Sequence, residues 1–333
     1  MKKRWPFSFL TVLLLLTQGI ACDSQSTDSA DGWARSLESL RQVDDFPLYV
    51  MDYYGDYSIL ADSPVASRSG WEMSIPPRSL STWGCTCFSA LNDGGDAILG
   101  RNFDWYDHPA LLLFADPPDR YASVSMVDLS YLGYAKEDSP LQQPDGLRNI
   151  PYFPFDGMNE HGLSVGIMAV SEAQPPFDPE KHTIGSLHVI RIILDCARNV
   201  DEAITVFRDY NIDFTGGPPL HYMIMDASRE SAVIELLDNK IMVLRNDSPW
   251  QVATNFLLTG LSEEERRASC PRYLRAYDAL AEKNGHVSIQ KAMMILEDVS
   301  QSNTIWSVVY NAETHHFHVA MGKMYSQLHE FEL

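Results

Sequence analysis

The chain has 333 residues, 45% of them hydrophobic, and carries 45 acidic against 25 basic side chains for a formal net charge of -20. That apolar content excludes a largely disordered protein, and the length suits one large domain or two modest ones. The negative charge disfavours nucleic acid as a partner, and the five cysteines are an odd, low count for a disulfide framework, with no paired CxxC motif to suggest zinc.

At the N-terminus, Lys2-Lys3-Arg4 precedes the apolar run from Phe9 to Leu16, the two regions of a secretory signal over residues 1–21. The run is short for a membrane span. It ends in Gly19-Ile20-Ala21-Cys22, which resembles a bacterial lipobox, where the cysteine is lipidated; the small residues Gly19 and Ala21 fit ordinary signal-peptidase cleavage as well. Residues 22–32 are polar and low in complexity, as a flexible tether is. The expectation is an exported protein, either membrane-anchored through lipidated Cys22 or secreted or periplasmic.

Residues 33–84 open with a helical period from Trp33 to Leu40 and are later broken by Pro64, Pro76 and Pro77. Next, the apolar runs around Cys85-Thr86-Cys87-Phe88 and Ile98 to Trp105 flank Gly94-Gly95 and read as a β-hairpin. With the two glycines as its loop, Asp93 pairs with Asp96, and counting outward sets Cys85 opposite Asp104 with Arg101 close by. A one-residue slip would separate thiol and carboxylate. Read alone, Arg101 and Asp104 are equally an ion pair at a hairpin base.

From there to Phe153-Pro154-Phe155 the chain reads as irregular, and Asp156 to Leu163 as a turn into the strand Ser164–Val170, with Asn159 serving the turn. Helical spacing of Leu187, Ile190, Ile193 and Leu194 is followed by Asn199 and Glu202, which resemble a capping box. Strands are expected at 221–226, 231–235, 241–244 and 250–255, helices at 271–281 and 289–297, and a hairpin of 305–309 with 316–320. Helices beside strands suggest a layered arrangement. Cys196 reads as core and Cys270 as packing near Arg272. His316 and His318 share a strand face with no acidic or thiol partner evident, so no metal site is expected.

Cys85-Thr86 with Gly100-Arg101-Asn102-Phe103-Asp104 resembles the signature of the choloylglycine hydrolase family and its relatives, the N-acylethanolamine acid amidases, acid ceramidases and penicillin acylases. The resemblance continues in order through Gly157 to Leu163, Leu220-His221-Tyr222, Ile234-Glu235, Thr254-Asn255, Ser269 to Tyr273 and Thr304 to Ser307. It implies an α+β, four-layer αββα sandwich of the N-terminal nucleophile hydrolase type over residues 85–333. Residues 33–84 would be a prosegment or small subunit, cut off between Gly84 and Cys85.

The chemistry has its own logic. A thiol of pKa ~8.5 is only a few per cent thiolate at neutral pH and needs a base. The freed α-amino group, of pKa ~7.7–8.0, sits on the same residue as the sulfur. By the resemblance, Cys85 is the nucleophile, Asp104 holds the α-amino group, and Arg101 stabilises the thiolate. Asn255 would donate to the oxyanion and Arg272 anchor the network. Ala169 stands where bile-salt hydrolases place a second oxyanion side chain, so that donor would be its backbone N–H. Cys87, on the same strand face as Cys85, is the competing nucleophile or a small buried hydrophobe.

The expectation is an exported cysteine amidase that hydrolyses a linear, non-peptide N-acyl amide with a lipophilic acyl chain, without cofactor or metal. Trp105, Tyr106 and Phe153 are pocket-lining candidates or plain core. The alternatives are an acyltransferase passing the acyl group to an amine, and a non-catalytic surface protein that keeps the fold for binding.

Overall fold

The computed structural model describes residues 30–57 and 84–333. The stretch read as a secretory signal and Cys22 lie outside the described residues, as do most of the stretch read as a tether and residues 58–83. In the first part, α1 (Ala30–Ser39) leads into β1 (Arg41–Asp44) and β2 (Leu48–Tyr53). The hairpin is β3 (Gly84–Ala90) with β4 (Ile98–Asp104), and β5 (Ala110–Ala115), β6 (Ser123–Asp128), β7 (Asp156–Asn159) and β8 (Ser164–Ala169) follow. Then come β9 (Thr183–Gly185), α2 (His188–Cys196), α3 (Val200–Asp209), β10 (Asn211–Asp213), β11 (Leu220–Met225), β12 (Ser231–Leu237), β13 (Lys240–Arg245) and β14 (Trp250–Ala253). The chain closes with α4 (Glu263–Ser269), α5 (Pro271–Glu282), α6 (Ile289–Asp298), β15 (Thr304–Asn311), β16 (His316–Met321) and β17 (His329–Glu332).

Every residue of β3, β4, β6, β7, β11 and β15 is buried, so these strands are covered on both faces. The covering layers follow from the pairing. One large sheet has nine strands in the order β1-β2-β5-β6-β7-β8-β11-β12-β13, a second has six in the order β14-β3-β4-β15-β16-β17, and β9 and β10 pair by themselves. The two large sheets pack face to face through β3 and β4 on β8, and β14 on β12. On the outside, α2 and α3 lie on the nine-stranded sheet, while α5 and α6 lie on the six-stranded one. The result is the four-layer αββα sandwich expected from the sequence.

The stretch read as irregular holds two strands, β5 and β6. Ala110–Ala115 is a continuous apolar run without alternation, the pattern of a strand buried on both faces, and prolines nearby hid it. Helix α3 starts as expected, with Asn199 Oδ1 accepting the Glu202 N–H at 3.0 Å. Only half of a capping box forms, because the Glu202 carboxylate takes the N–H of Arg198 instead. Cys196 is buried at the end of α2 but is disulfide-bonded, so it is more than a core hydrophobe. His316 and His318 do have an acidic partner, Glu330 of β17, at 3.9 and 3.8 Å.

Residues upstream of Cys85 are part of the sandwich. Strand β2 pairs in parallel with β5 and is buried along almost its whole length. Beyond it, the Tyr57 hydroxyl donates to Asp195 Oδ1 at 3.0 Å, and Arg120 donates to the Tyr57 carbonyl at 2.8 Å.

Candidate active site

The β3–β4 register differs by one residue from the expected one. Gly84 faces Asp104, Cys85 faces Phe103 and Cys87 faces Arg101. The cause lies in the turn. Asn92 Oδ1 accepts the Gly94 N–H and the Asn92 carbonyl accepts the Gly95 N–H, each at 2.9 Å, which draws the turn towards Asn92 and away from a two-glycine loop. Cys85, Cys87, Arg101 and Phe103 therefore share one face, while Gly84 and Asp104 belong to the other.

Arg101 is fully buried, and its ion pair is with Asp156, not with Asp104. Asp156 also accepts Trp306 Nε1–H at 3.0 Å and the Tyr310 hydroxyl at 2.7 Å. Held this way, Arg101 donates to the Ile167 carbonyl, and its Nη2 lies 4.0 Å from Cys85 Sγ. Burial alone would lower the guanidinium pKa; Asp156 and the two cysteines raise it, and the cation persists. Gly166 leaves room for this side chain, since a Cβ there would stand 2.9 Å from Arg101 Cδ and 3.1 Å from Cys87 Sγ. In the sequence Asp156 reads as part of a turn, although it directly precedes the motif Gly157–Leu163.

Asn255 follows the end of β14. Its Oδ1 accepts the Cys85 backbone N–H at 2.7 Å and Arg272 Nη2–H at 2.9 Å, and its Nδ2 donates to the Ala169 carbonyl at 3.0 Å. Only an oxygen can accept twice, which fixes the amide orientation. Arg272 also donates to the Cys85 carbonyl and, at 3.0 Å, to Thr86 Oγ1. Asp104 stands beside the Gly84–Cys85 junction. It accepts Thr304 Oγ1–H at 2.5 Å and Gln301 Nε2–H at 2.7 Å, with Arg272 Nη1 at 4.0 Å. Burial pushes its carboxyl above the usual range, against the pull of those donors. A Cβ on Gly84 would lie 1.7 Å from Gln301 Nε2 and 2.9 Å from Asp104 Oδ2, so a side chain there would displace Gln301. Nothing in the sequence marks Gln301, whereas Thr304 opens the motif Thr304–Ser307.

All five residues predicted as catalytic thus converge on Gly84–Cys85, and Ala169 joins them through its carbonyl. With the junction intact, the Cys85 nitrogen is an amide donor and cannot act as a base. Burial raises the thiol pKa of both Cys85 and Cys87, opposed in each by Arg101. At Cys270 burial also raises, but Arg272, Thr254 and the first N–H groups of α5 outweigh it and lower the thiol pKa. In the uncut chain, brief iodoacetamide treatment at pH 7 is therefore expected to label half-buried Cys270 first, read by peptide mass spectrometry. Faster labelling of Cys85 would contradict the buried-thiol geometry.

Cys85, Arg101 and Asp104 line a cleft of about 700 Å³, counted out to where it meets solvent, whose other walls include Phe103, Trp105, Tyr131, Tyr152, Phe153 and Phe155. Of the aromatic candidates, Trp105 and Phe153 face it, and Tyr106 packs behind Trp105 with ring centroids 4.9 Å apart. The arrangement offers a thiol, a fixed cation and a set of amide groups at the wall of an apolar pocket suited to an acyl group.

Residues 91–327 match the protein-family model described as acyl-coenzyme A:6-aminopenicillanic acid acyl-transferase. Among curated proteins, the chain is 26% identical over 184 residues to a penicillin V acylase of Pectobacterium atrosepticum, covering 51% of this chain and 49% of that one. It is 32% identical over 109 residues to an uncharacterized protein of Paramecium bursaria Chlorella virus 1, covering 30% and 39%. The chain thus spans less than half the length of either protein. The fold is similar to that of penicillin V acylase from Agrobacterium tumefaciens, at 19% identity and TM-score 0.54 over 71% of this chain and 83% of that one. It is also similar to a mutant conjugated bile acid hydrolase from Clostridium perfringens, at 15% identity and TM-score 0.56 over 75% and 92%.

Proposed function

The chain belongs to the acyl-coenzyme A:6-aminopenicillanic acid acyl-transferase family, and from that premise we propose that it is an exported cysteine amidase, activated by cutting itself between Gly84 and Cys85. The observation that carries the reading is the placement of Cys85 Sγ, 4.0 Å from the buried Arg101 guanidinium, at the wall of an aromatic cleft. In the activating step, Cys85 Sγ attacks the Gly84 carbonyl. The Cys85 nitrogen leaves as an amine, and water hydrolyses the resulting thioester.

The mature site then works on a linear N-acyl amide. The α-amino group accepts the thiol proton while Arg101 favours the thiolate. Sulfur attacks the substrate carbonyl, and the oxyanion takes hydrogen bonds from Asn255 Nδ2 and the Ala169 N–H. Since Val170, not Ala169, bonds to the facing strand, through Pro219, the polar groups of Ala169 point away from β11 and towards the site. The amine departs with the proton, and water releases the acid from the thioester. The aromatic walls favour a lipophilic acyl chain, and Asp104 and Arg272 hold the new N-terminus.

The test is the intact mass and N-terminal sequence of the purified protein, followed by a panel of acyl amides. A fragment starting at Cys85 is expected, with the upstream piece co-eluting until denaturation because β2 is a strand of the nine-stranded sheet. A chain uncut at acidic and neutral pH, and inert on every amide, would support the non-catalytic binding reading instead. The family's description favours one further reading, acyl transfer. Adding a primary amine to the assay separates the two, since a transferase forms the new amide in preference to the free acid.

A further inference from the structure

His221 on β11 and Glu235 on β12 form a wholly buried polar pair that the mechanism above does not use. His221 Nε2 lies 2.7 Å from the Thr254 carbonyl, which can only accept, so Nε2 carries a proton. Its Nδ1 lies 3.3 Å from Glu235 Oε1. That same oxygen accepts the Leu258 N–H at 2.6 Å, and Oε2 accepts the Thr259 N–H at 2.9 Å. The pair therefore reaches from the nine-stranded sheet across to the chain leaving β14, and grips it at Thr254, Leu258 and Thr259. Asn255 lies between those grips.

The register explains why this segment needs holding. Ala253 is paired with Cys87, and two further steps of the ladder would bring Asn255 opposite Cys85. At that point β14 has ended, and the Asn255 side chain, not its backbone, meets the Cys85 N–H. An asparagine just beyond a strand end has no ladder to orient it. The peptide group before it is fixed by His221 and the turn after it by Glu235. Burial alone would raise the Glu235 carboxyl pKa, but His221, Thr259 and the Leu258 N–H more than offset this and hold it below the usual range.

We propose that His221 and Glu235 are positioning residues for Asn255, setting its amide against Cys85 for both self-cleavage and turnover. The proposal rests on the role given to Asn255 above. A general argument favours position over stability as the function of this pair. Apolar residues of the same volume often match or exceed a buried ion pair in stability, so such a pair is weak evidence of a stabilising role. Here its hydrogen bonds all converge on the backbone around one site residue.

Two measurements test it. In the Cys85→Ala chain, which stays whole, Glu235→Gln and His221→Asn are introduced separately and amide hydrogen exchange is followed by mass spectrometry. Exchange at residues 254–259 and at the amide of position 85 is expected to rise about tenfold, with β11 and β12 as protected as before. Unchanged exchange in both variants overturns the brace, whether or not the protein is an amidase. With Cys85 present, each variant is expected to slow self-cleavage about tenfold, and adding Asn255→Ala is expected to cost no more than Asn255→Ala alone, because both changes remove one shared interaction. Losses that multiply overturn the positioning role and leave a structural one. If exchange responds but the unaltered chain never cleaves, the amidase reading falls while the brace stands.

Discussion

A Cys85→Ala chain is expected to remain whole and to lose turnover by at least about four decades, the scale seen when a covalent nucleophile is removed. The contrast that gives this result its meaning is Cys87→Ala, which is expected to cut itself and turn over nearly as the unaltered chain does. Both thiols stand on the face of the β3–β4 hairpin that carries Arg101, so strand face alone does not choose between them. Depth does. Cys85 lines the cleft, whereas a Cβ added at Gly166 of the opposite sheet would come within 3.1 Å of Cys87 Sγ, which places Cys87 between the sheets. Losing one small buried side chain there costs about 1 kcal/mol. Intact mass separates the variants without any knowledge of the substrate. Cleavage surviving in Cys85→Ala, or lost in Cys87→Ala, would exchange the two assignments and move the cut.

Much of this is legible in the sequence because the site residues stand in short motifs that follow one another in family order. Cys85, Arg101, Asp104, Asn255 and Arg272 stand out in the sequence, and the structure gathers all five at Gly84–Cys85; the layered fold and the helices α5 and α6 are legible too, whereas α4 is not. What the sequence hid has physical causes. The hairpin register turned on one Asn92 side chain that competes with the Gly94-Gly95 loop, and no count along the chain reports that bond. The Arg101 partner is Asp156, not Asp104, because the two sheets face each other, and a contact between sheets leaves no local pattern. Gln301 entered only through space, as the side chain lying where Gly84 has none. In sequence, residues 33–84 read as a prosegment or small subunit, and nothing local in that stretch marks β2 as a strand of the main sheet, a placement set by its pairing with β5 some sixty residues away.

The Arg101–Asp156 pair gives the largest expected effect on stability. Removing one member of a buried pair leaves an uncompensated charge and costs about 3–5 kcal/mol, a fall in Tm on the order of 10 °C for a chain of this size. The two halves are not equivalent. Asp156→Asn strands a guanidinium that cannot give up its proton, whereas Arg101→Met strands a carboxylate that can take one up and keeps its hydrogen bonds from Trp306 and Tyr310. Asp156→Asn is therefore expected to melt lower than Arg101→Met at pH 7. The pH dependence of Arg101→Met has a definite sign. Without its cation, buried Asp156 has a folded pKa above its unfolded one, so the folded state binds the proton more tightly and this variant regains stability as the pH falls through that folded value. Asp156→Asn has no such carboxyl and should not recover in the same way. Combining Arg101→Met with Asp156→Asn removes both charges and should restore most of the lost Tm, yet self-cleavage should be absent, because the guanidinium 4.0 Å from Cys85 Sγ is gone. Melting curves between pH 5 and 8 with intact mass on the same samples read both quantities. A double variant that regained cleavage along with its Tm would show that Arg101 serves packing alone, and the thiolate would need another source of stabilisation.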